Sequence, residues 1–250
     1  ALMSYKKNPY YEVQLPFGAY TAARMNAELG THYDVAKIVN WCFDRSDARV
    51  DMAVICDRWE NYDCHGLVGS VNRPPYRKAG GGYAFAMNTF AFAWPMVPLV
   101  RYDDRFARAI GKWLLNAANA SRLFYANAHP AKRQSCSNWK GDPHSVIAYE
   151  GLRHYWHKGE SFFAGGDPCS YNWPFKTDFG IYGSAFVGVF GGIVKTTNVK
   201  YILQIDCLAT DTFYSKAYPT YLYFNPYKET KKINIDIGKQ SRDLYDAVSN

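Results

Sequence analysis

Apolar side chains along this chain recur mostly at helical spacing, and the helices they predict come in pairs. Residues 16–29 are Ala-rich and read as a helix closed by Gly30, the residue type that most easily takes the left-handed turn after a helix. Asp34 can cap the next one. There Val35, Ile38, Val39, Cys42 and Phe43 fall at i, i+3, i+4, i+7 and i+8, a single apolar stripe. Gly80–Val100 is ambiguous. Tyr83, Phe85 and Met87, then Phe90, Phe92 and Trp94, alternate with small residues as a strand would. The run is nevertheless long and rich in Ala, and Pro95 and Pro98 forbid a central strand. The balance predicts a helix, apolar all round, ending near Pro95. Asp104 then opens an amphipathic helix that runs through Ile110, Trp113, Leu114 and Ala117 to Phe124.

The stretch Asn138–Trp156 repeats the design of a polar aromatic loop feeding an apolar helix. Asp142-Pro143 is a helix-start signal, because Asp caps free amides and Pro fits the first helical position. Val146, Ile147, Tyr149, Leu152 and Tyr155–Trp156 follow at close to helical spacing, which places Trp139, Asp142 and His144 at the mouth and Glu150 inside. Before it lies Asp57–Gly66, dense in polar and aromatic groups, preceded by Val50–Ile55, which fits helix or strand. After it lies the Gly/Pro loop Gly165–Pro174, then a small apolar helix over Ile181–Val194. Near Lys200 the texture changes. Tyr201–Asp206 and Tyr218–Phe224 are β-branched or aromatic, and Ile233, Ile235 and Ile237 alternate, so strands are expected. So few strands cannot bury a face alone and must pack on the helical part or belong to a larger sheet.

Composition narrows the choices. A hydrophobic share of 48% in 250 residues supports one sizeable folded domain, alone or with a small second one. The net charge is +7, but no basic block interleaves with a nucleic-acid motif, so no nucleic-acid partner is expected. No membrane span or signal peptide is visible, and the start at Ala1 reads as processing or a fragment. The six cysteines form no Cys-x-x-Cys pair; Cys136 and Cys169 lie in loops assigned to one mouth and could pair. The aromatic share of 17% means either a large aromatic core or a sugar-binding surface. Trp59, Trp139, Tyr171 and Trp173 sit in polar or Gly-rich surroundings, which favours the second for those four.

Alternating buried and amphipathic helices, with aromatic and acidic loops before the buried ones, resemble the (α/α)-toroid or six-hairpin glycosidase group. The segment Tyr218–Tyr227 is also similar to the entry into the β-sandwich of carbohydrate-active toroid enzymes. The resemblance covers about residues 10–240. It implies a mainly α fold: a toroid-type domain over residues 1–199, then the start of a β-sandwich over residues 200–250. Fewer buried helices are present than in a complete toroid, so a further chain or a missing segment would complete it. A secreted or periplasmic protein acting on a poly- or oligosaccharide is expected, with no cofactor.

Glycoside hydrolysis uses two carboxyl groups, one to protonate the leaving oxygen and one as base or nucleophile. The candidates are Glu60, Asp63, Asp142, Glu150 and Asp178, with Trp59, Trp139, His144, Tyr171 and Trp173 to bind substrate. Each has a plainer reading. Asp142 and Asp178 suit helix capping, Glu60 and Asp63 a solvated loop, and Glu150 a structural pair with Arg153 or His154. Lyase chemistry is the alternative, with His144, Tyr149, Asn88, Asn138 and Arg153 as base and uronate-neutralising groups. A non-catalytic glycan-binding or assembly protein is the third. Glu150, His154 and His157 would share one helix face, but that lone spacing predicts no metal.

Overall fold

The computed structural model describes residues 1–9, 12–46, 48, 52–71, 82–134, 151–155, 161–165, 185–212, 217–239 and 241–247. Their fold is mixed α/β. The mainly α toroid that the resemblance implied is overturned by a five-stranded antiparallel sheet built from the middle of the chain.

The first helical hairpin forms as its sequence dictates. α1 (Gln14–Leu29) ends at Gly30, whose φ of +64° closes the helix in the left-handed region. α2 (Val35–Phe43) starts at Asp34, whose carboxylate accepts from the Lys37 amide at 2.9 Å. It buries Val35, Ile38, Val39 and Cys42, the predicted stripe.

Four short strands follow: β1 (Met52–Val54), β2 (Arg58–Trp59), β3 (Tyr62–Asp63) and β4 (Val68–Ser70). β5 (Tyr83–Phe85) then leads directly into α3 (Ala86–Leu99). The run expected as one helix therefore divides. Its opening alternation is a strand, because Ala84 pairs with Gly69 on one side and Leu152 on the other. Twelve of the fourteen residues of α3 are buried, so the helix is apolar all round as expected. It does not stop near Pro95 but runs through Pro95 and Pro98. Pro98 has no N–H for the Trp94 carbonyl; the Thr210 hydroxyl donates to that carbonyl instead, at 2.7 Å.

A 3-10 turn at Asp104–Phe106 opens α4 (Ala107–Ala120), which buries Ile110, Trp113, Leu114 and Ala117. β6 (Gly151–Tyr155) and β7 (Ser161–Gly165) complete the large sheet in the order β1-β4-β5-β6-β7. The helix predicted up to Trp156 is thus a strand over its described part. Gly151 sits at φ +115°, outside any helix, and a Cβ there would meet the Ala84 carbonyl at 2.6 Å. With it goes the single helical face that would have aligned Glu150, His154 and His157.

α5 (Val187–Ile193) runs into a second, three-stranded sheet of β8 (Val194–Thr196), β9 (Leu203–Asp206) and β10 (Tyr221–Tyr223), ordered β10-β9-β8. This sheet packs on the helices as so small a sheet must: Leu222 and Phe224 lie against Gly111 of α4. The strand expected at Ile233–Ile237 joins no ladder. Its isoleucines are half-buried and alternate with exposed Asn234 and Asp236. The Asn198 side chain takes the place of a pairing strand: its Oδ1 accepts from the Asn234 amide at 2.8 Å, and its Nδ2 donates to the Lys232 carbonyl at 3.3 Å.

The core centres on α3, which packs against α1, α5 and β4. Phe92, 1% exposed, stands edge-on to Trp113 with ring centres 4.9 Å apart. Burying a side chain of that size stabilises by about 1.5–3 kcal/mol. Among the described residues no helix is long and apolar enough to cross a membrane.

Candidate functional site

The polar aromatic stretch Asp57–Gly66 folds as a hairpin whose arms are β2 and β3. Trp59 pairs with Tyr62 and Arg58 with Asp63, leaving Glu60 and Asn61 as a two-residue turn. Glu60 takes φ +51°, a conformation usually left to Gly or Asn. The base of the hairpin is anchored to α4 by the Trp113 indole, which donates to the Gly66 carbonyl at 2.9 Å. Gly66 is required there: it sits at φ +92°, and a Cβ would meet the Ala117 amide at 2.6 Å.

Both aromatic residues of the hairpin lie on histidines from elsewhere. Trp59, 3% exposed, stacks parallel on His154 of β6 with ring centres 5.1 Å apart. Tyr62 packs on His129, whose Nε2 donates to the Leu123 carbonyl at 2.6 Å. Burial pushes the basicity of both histidines down; the charges of Asp57 and Glu60 only partly offset this at His154. Both imidazoles are therefore neutral at neutral pH.

The two hairpin carboxylates are each paired. Glu60 accepts from Arg133 at 2.6 Å. Asp63 accepts from both the ring and the amide of His65, at 2.6 Å and 3.1 Å. Burial pushes the Asp63 carboxyl up, but the bonds from His65 and the nearby charge of Arg58 outweigh it, and Asp63 ends below the ordinary aspartate range. An ionised, hydrogen-bonded Asp63 can accept from hydroxyls or activate water; it is unsuited to deliver a proton.

Of the sequence-derived candidates, the structure places Trp59, Glu60 and Asp63 together on this hairpin. Trp59 is a covered core ring here, not an open platform. Asp142, Glu150, Asp178, Trp139, His144, Tyr171 and Trp173 lie outside the described residues, as do Cys136 and Cys169. Arg133 and His129 complete the site and carry no local sequence signal, because their partners are distant along the chain. Among the described residues no group of three or more His, Cys, Asp or Glu side chains could hold a metal.

A second constellation escaped sequence reasoning altogether. Asp211 has no exposed surface, and its carboxylate accepts from the Tyr20 hydroxyl at 2.6 Å and the Tyr102 hydroxyl at 2.8 Å. It is also ion-paired with Arg101 and lies 3.8 Å from Arg24. The two flanking threonines line a cleft of about 390 Å³ between α1 and the end of α3.

Comparison with protein-family models, with curated proteins and with solved structures finds no match for this chain.

Proposed function

We propose that this chain acts on a poly- or oligosaccharide at the tip of the β2–β3 hairpin and hydrolyses its glycosidic bonds. The observation that carries the reading is that one short hairpin bears two carboxylates, Glu60 held by Arg133 from a separate segment and Asp63 held by His65. Strained backbone at Glu60 supports it, since such conformations cluster where a side chain is held for a purpose. In this reading Asp63 is the ionised partner that activates water, with His65 fixing its position. Glu60 and Arg133 bind sugar hydroxyls. The remaining sequence candidates for the proton donor are Asp142, Glu150 and Asp178.

The test is incubation of the purified chain with neutral and acidic polysaccharides, following reducing-end release. Asp63→Asn should lower turnover by at least about a hundredfold, as loss of a general base does. The same loss on replacing one of Asp142, Glu150 or Asp178 by its amide identifies the acid. Turnover unchanged by every one of these substitutions removes the site from consideration. Saturable binding without cleavage makes the chain a glycan-binding protein instead. One observation favours a lyase as the second reading: His154 is neutral and lies near the hairpin that Arg133 also reaches, a base and a cation of the kind uronate β-elimination uses. Unsaturated products absorbing in the ultraviolet, lost in His154→Gln, would establish it.

A further inference from the structure

We propose that the cleft between α1, the proline-bearing end of α3 and the Thr210–Thr212 loop binds a small amphipathic carboxylate, an apolar ring or chain carrying one anionic group. The cleft is about 390 Å³, within the range of small-molecule sites, and it shares no residue with the hairpin. Its apolar wall is Phe17 and Trp94, edge-to-face at 5.9 Å, with Pro98 beside them. Its polar edge is Arg24 and Glu28 from α1 with the threonines opposite.

Two features prepare it for a ligand. The loop is held in place before anything binds, because Thr210 is bonded to the Trp94 carbonyl and buried Asp211 is gripped by Tyr20, Tyr102 and Arg101. Arg24 lies on the wall, its side chain only 18% exposed; it donates to Glu28, one helical turn on, at 2.9 Å and to the Tyr20 hydroxyl at 3.2 Å. Glu28 is 47% exposed, and a solvated i,i+4 pair contributes little. A ligand carboxylate can take its place on the guanidinium while the ligand's apolar body covers Phe17 and Trp94. Asp211 also lies 3.8 Å from the guanidinium but is itself held by Arg101 and two tyrosine hydroxyls, so the ligand exchanges with Glu28 and not with Asp211.

Calorimetric titration of the full chain with 2-naphthoate, and with uncharged 2-naphthylmethanol as control, tests this. The acid should bind saturably and more tightly than the alcohol. Arg24→Gln should weaken the acid by about ten- to a hundredfold, the loss of a charge-assisted pair, and leave the alcohol unchanged. Glu28→Gln should tighten the acid by removing its competitor. Thr21→Trp, a substitution at an exposed α1 position on the cleft wall, should abolish binding of both. If Arg24→Gln does not fold, the other two variants still decide. No saturable binding of the acid by the wild-type chain up to about millimolar, or binding indifferent to Glu28→Gln and Thr21→Trp, overturns the proposal. Neither result bears on sugar cleavage at the hairpin.

Discussion

Asp211 and Glu60 are the residues whose environments make the sharpest demands. Asp211 is a carboxylate with no exposed surface, and Arg101, 14% exposed, is its ion-pair partner. Removing one member of a buried pair leaves the other charge uncompensated, which costs about 3–5 kcal/mol. Asp211→Ala should therefore lower the urea midpoint severely. Tyr20→Phe should cost much less in that background than in the wild type, because its hydroxyl has already lost its acceptor. Glu60 poses a backbone question. At φ +51° a Cβ is strained by roughly 1–2 kcal/mol, which Gly escapes. Both Glu60→Ala and Glu60→Gly lose the Arg133 bond, so that term cancels between them. Glu60→Gly should then be the more stable variant by about 1 kcal/mol in urea unfolding, the reverse of the usual order of Ala and Gly. Ala as the more stable of the two would mean that the turn relaxes out of the left-handed region.

Between elements, the contact of the small sheet with α4 rests on one glycine. Gly111 lies inside a helix, where Ala would ordinarily gain about 1 kcal/mol. A Cβ there would come within 2.9 Å of the Phe224 Cβ, an atom held by its own backbone. Gly111→Ala should accordingly fail to stabilise, and Gly111→Val should undock β10 and destabilise by more than about 2 kcal/mol, read as a lowered Tm. The same contrast between local and distant causes explains what the sequence could convey. α2 and α4 are legible because stripe, cap and period lie within one segment: Asp34 caps α2 three residues from the amide it serves. β5 and β6 are not, because what makes Tyr83–Phe85 and Gly151–Tyr155 strands is their pairing with each other across a long stretch of chain. Apolar spacing at Leu152 and Tyr155 suits a helix equally well. The helix end expected near Pro95 fell short for a related reason, since the donor that makes up for the missing N–H of Pro98 is the distant Thr210. At the hairpin, Glu60 and Asp63 stood out by their polar aromatic surroundings, whereas Arg133 and His129 are recognisable only once folding has brought them there.

At the scale of the whole molecule, acid should act first on the hairpin, because two neutral imidazoles hold it. Trp59 rests on His154 and Tyr62 on His129, so a β-strand and the bend at His129 both grip the β2–β3 unit through rings whose basicity burial has depressed. In the unfolded chain both histidines regain an ordinary pKa of about 6.5. Between that value and their lower folded values, the unfolded state binds more protons than the native state. Stability is therefore fully present above about pH 6.5 and declines as pH falls below it, with a slope of up to about 1.4 kcal/mol per pH unit for each proton so taken up. His129, 7% exposed, should approach that limit. His154 should contribute less, because it is only half-buried and water screens its charge. Asp63 works in a separate, lower window: its depressed carboxyl stabilises above about pH 4, and that contribution is lost as pH falls through its folded value. Urea unfolding at intervals from pH 8 to pH 5 should show the decline. Replacing His129 by Gln should lower stability at pH 8, where the packed neutral ring is lost, and flatten the profile below pH 6.5. A variant profile as steep as the wild type would assign the acid sensitivity elsewhere in the chain.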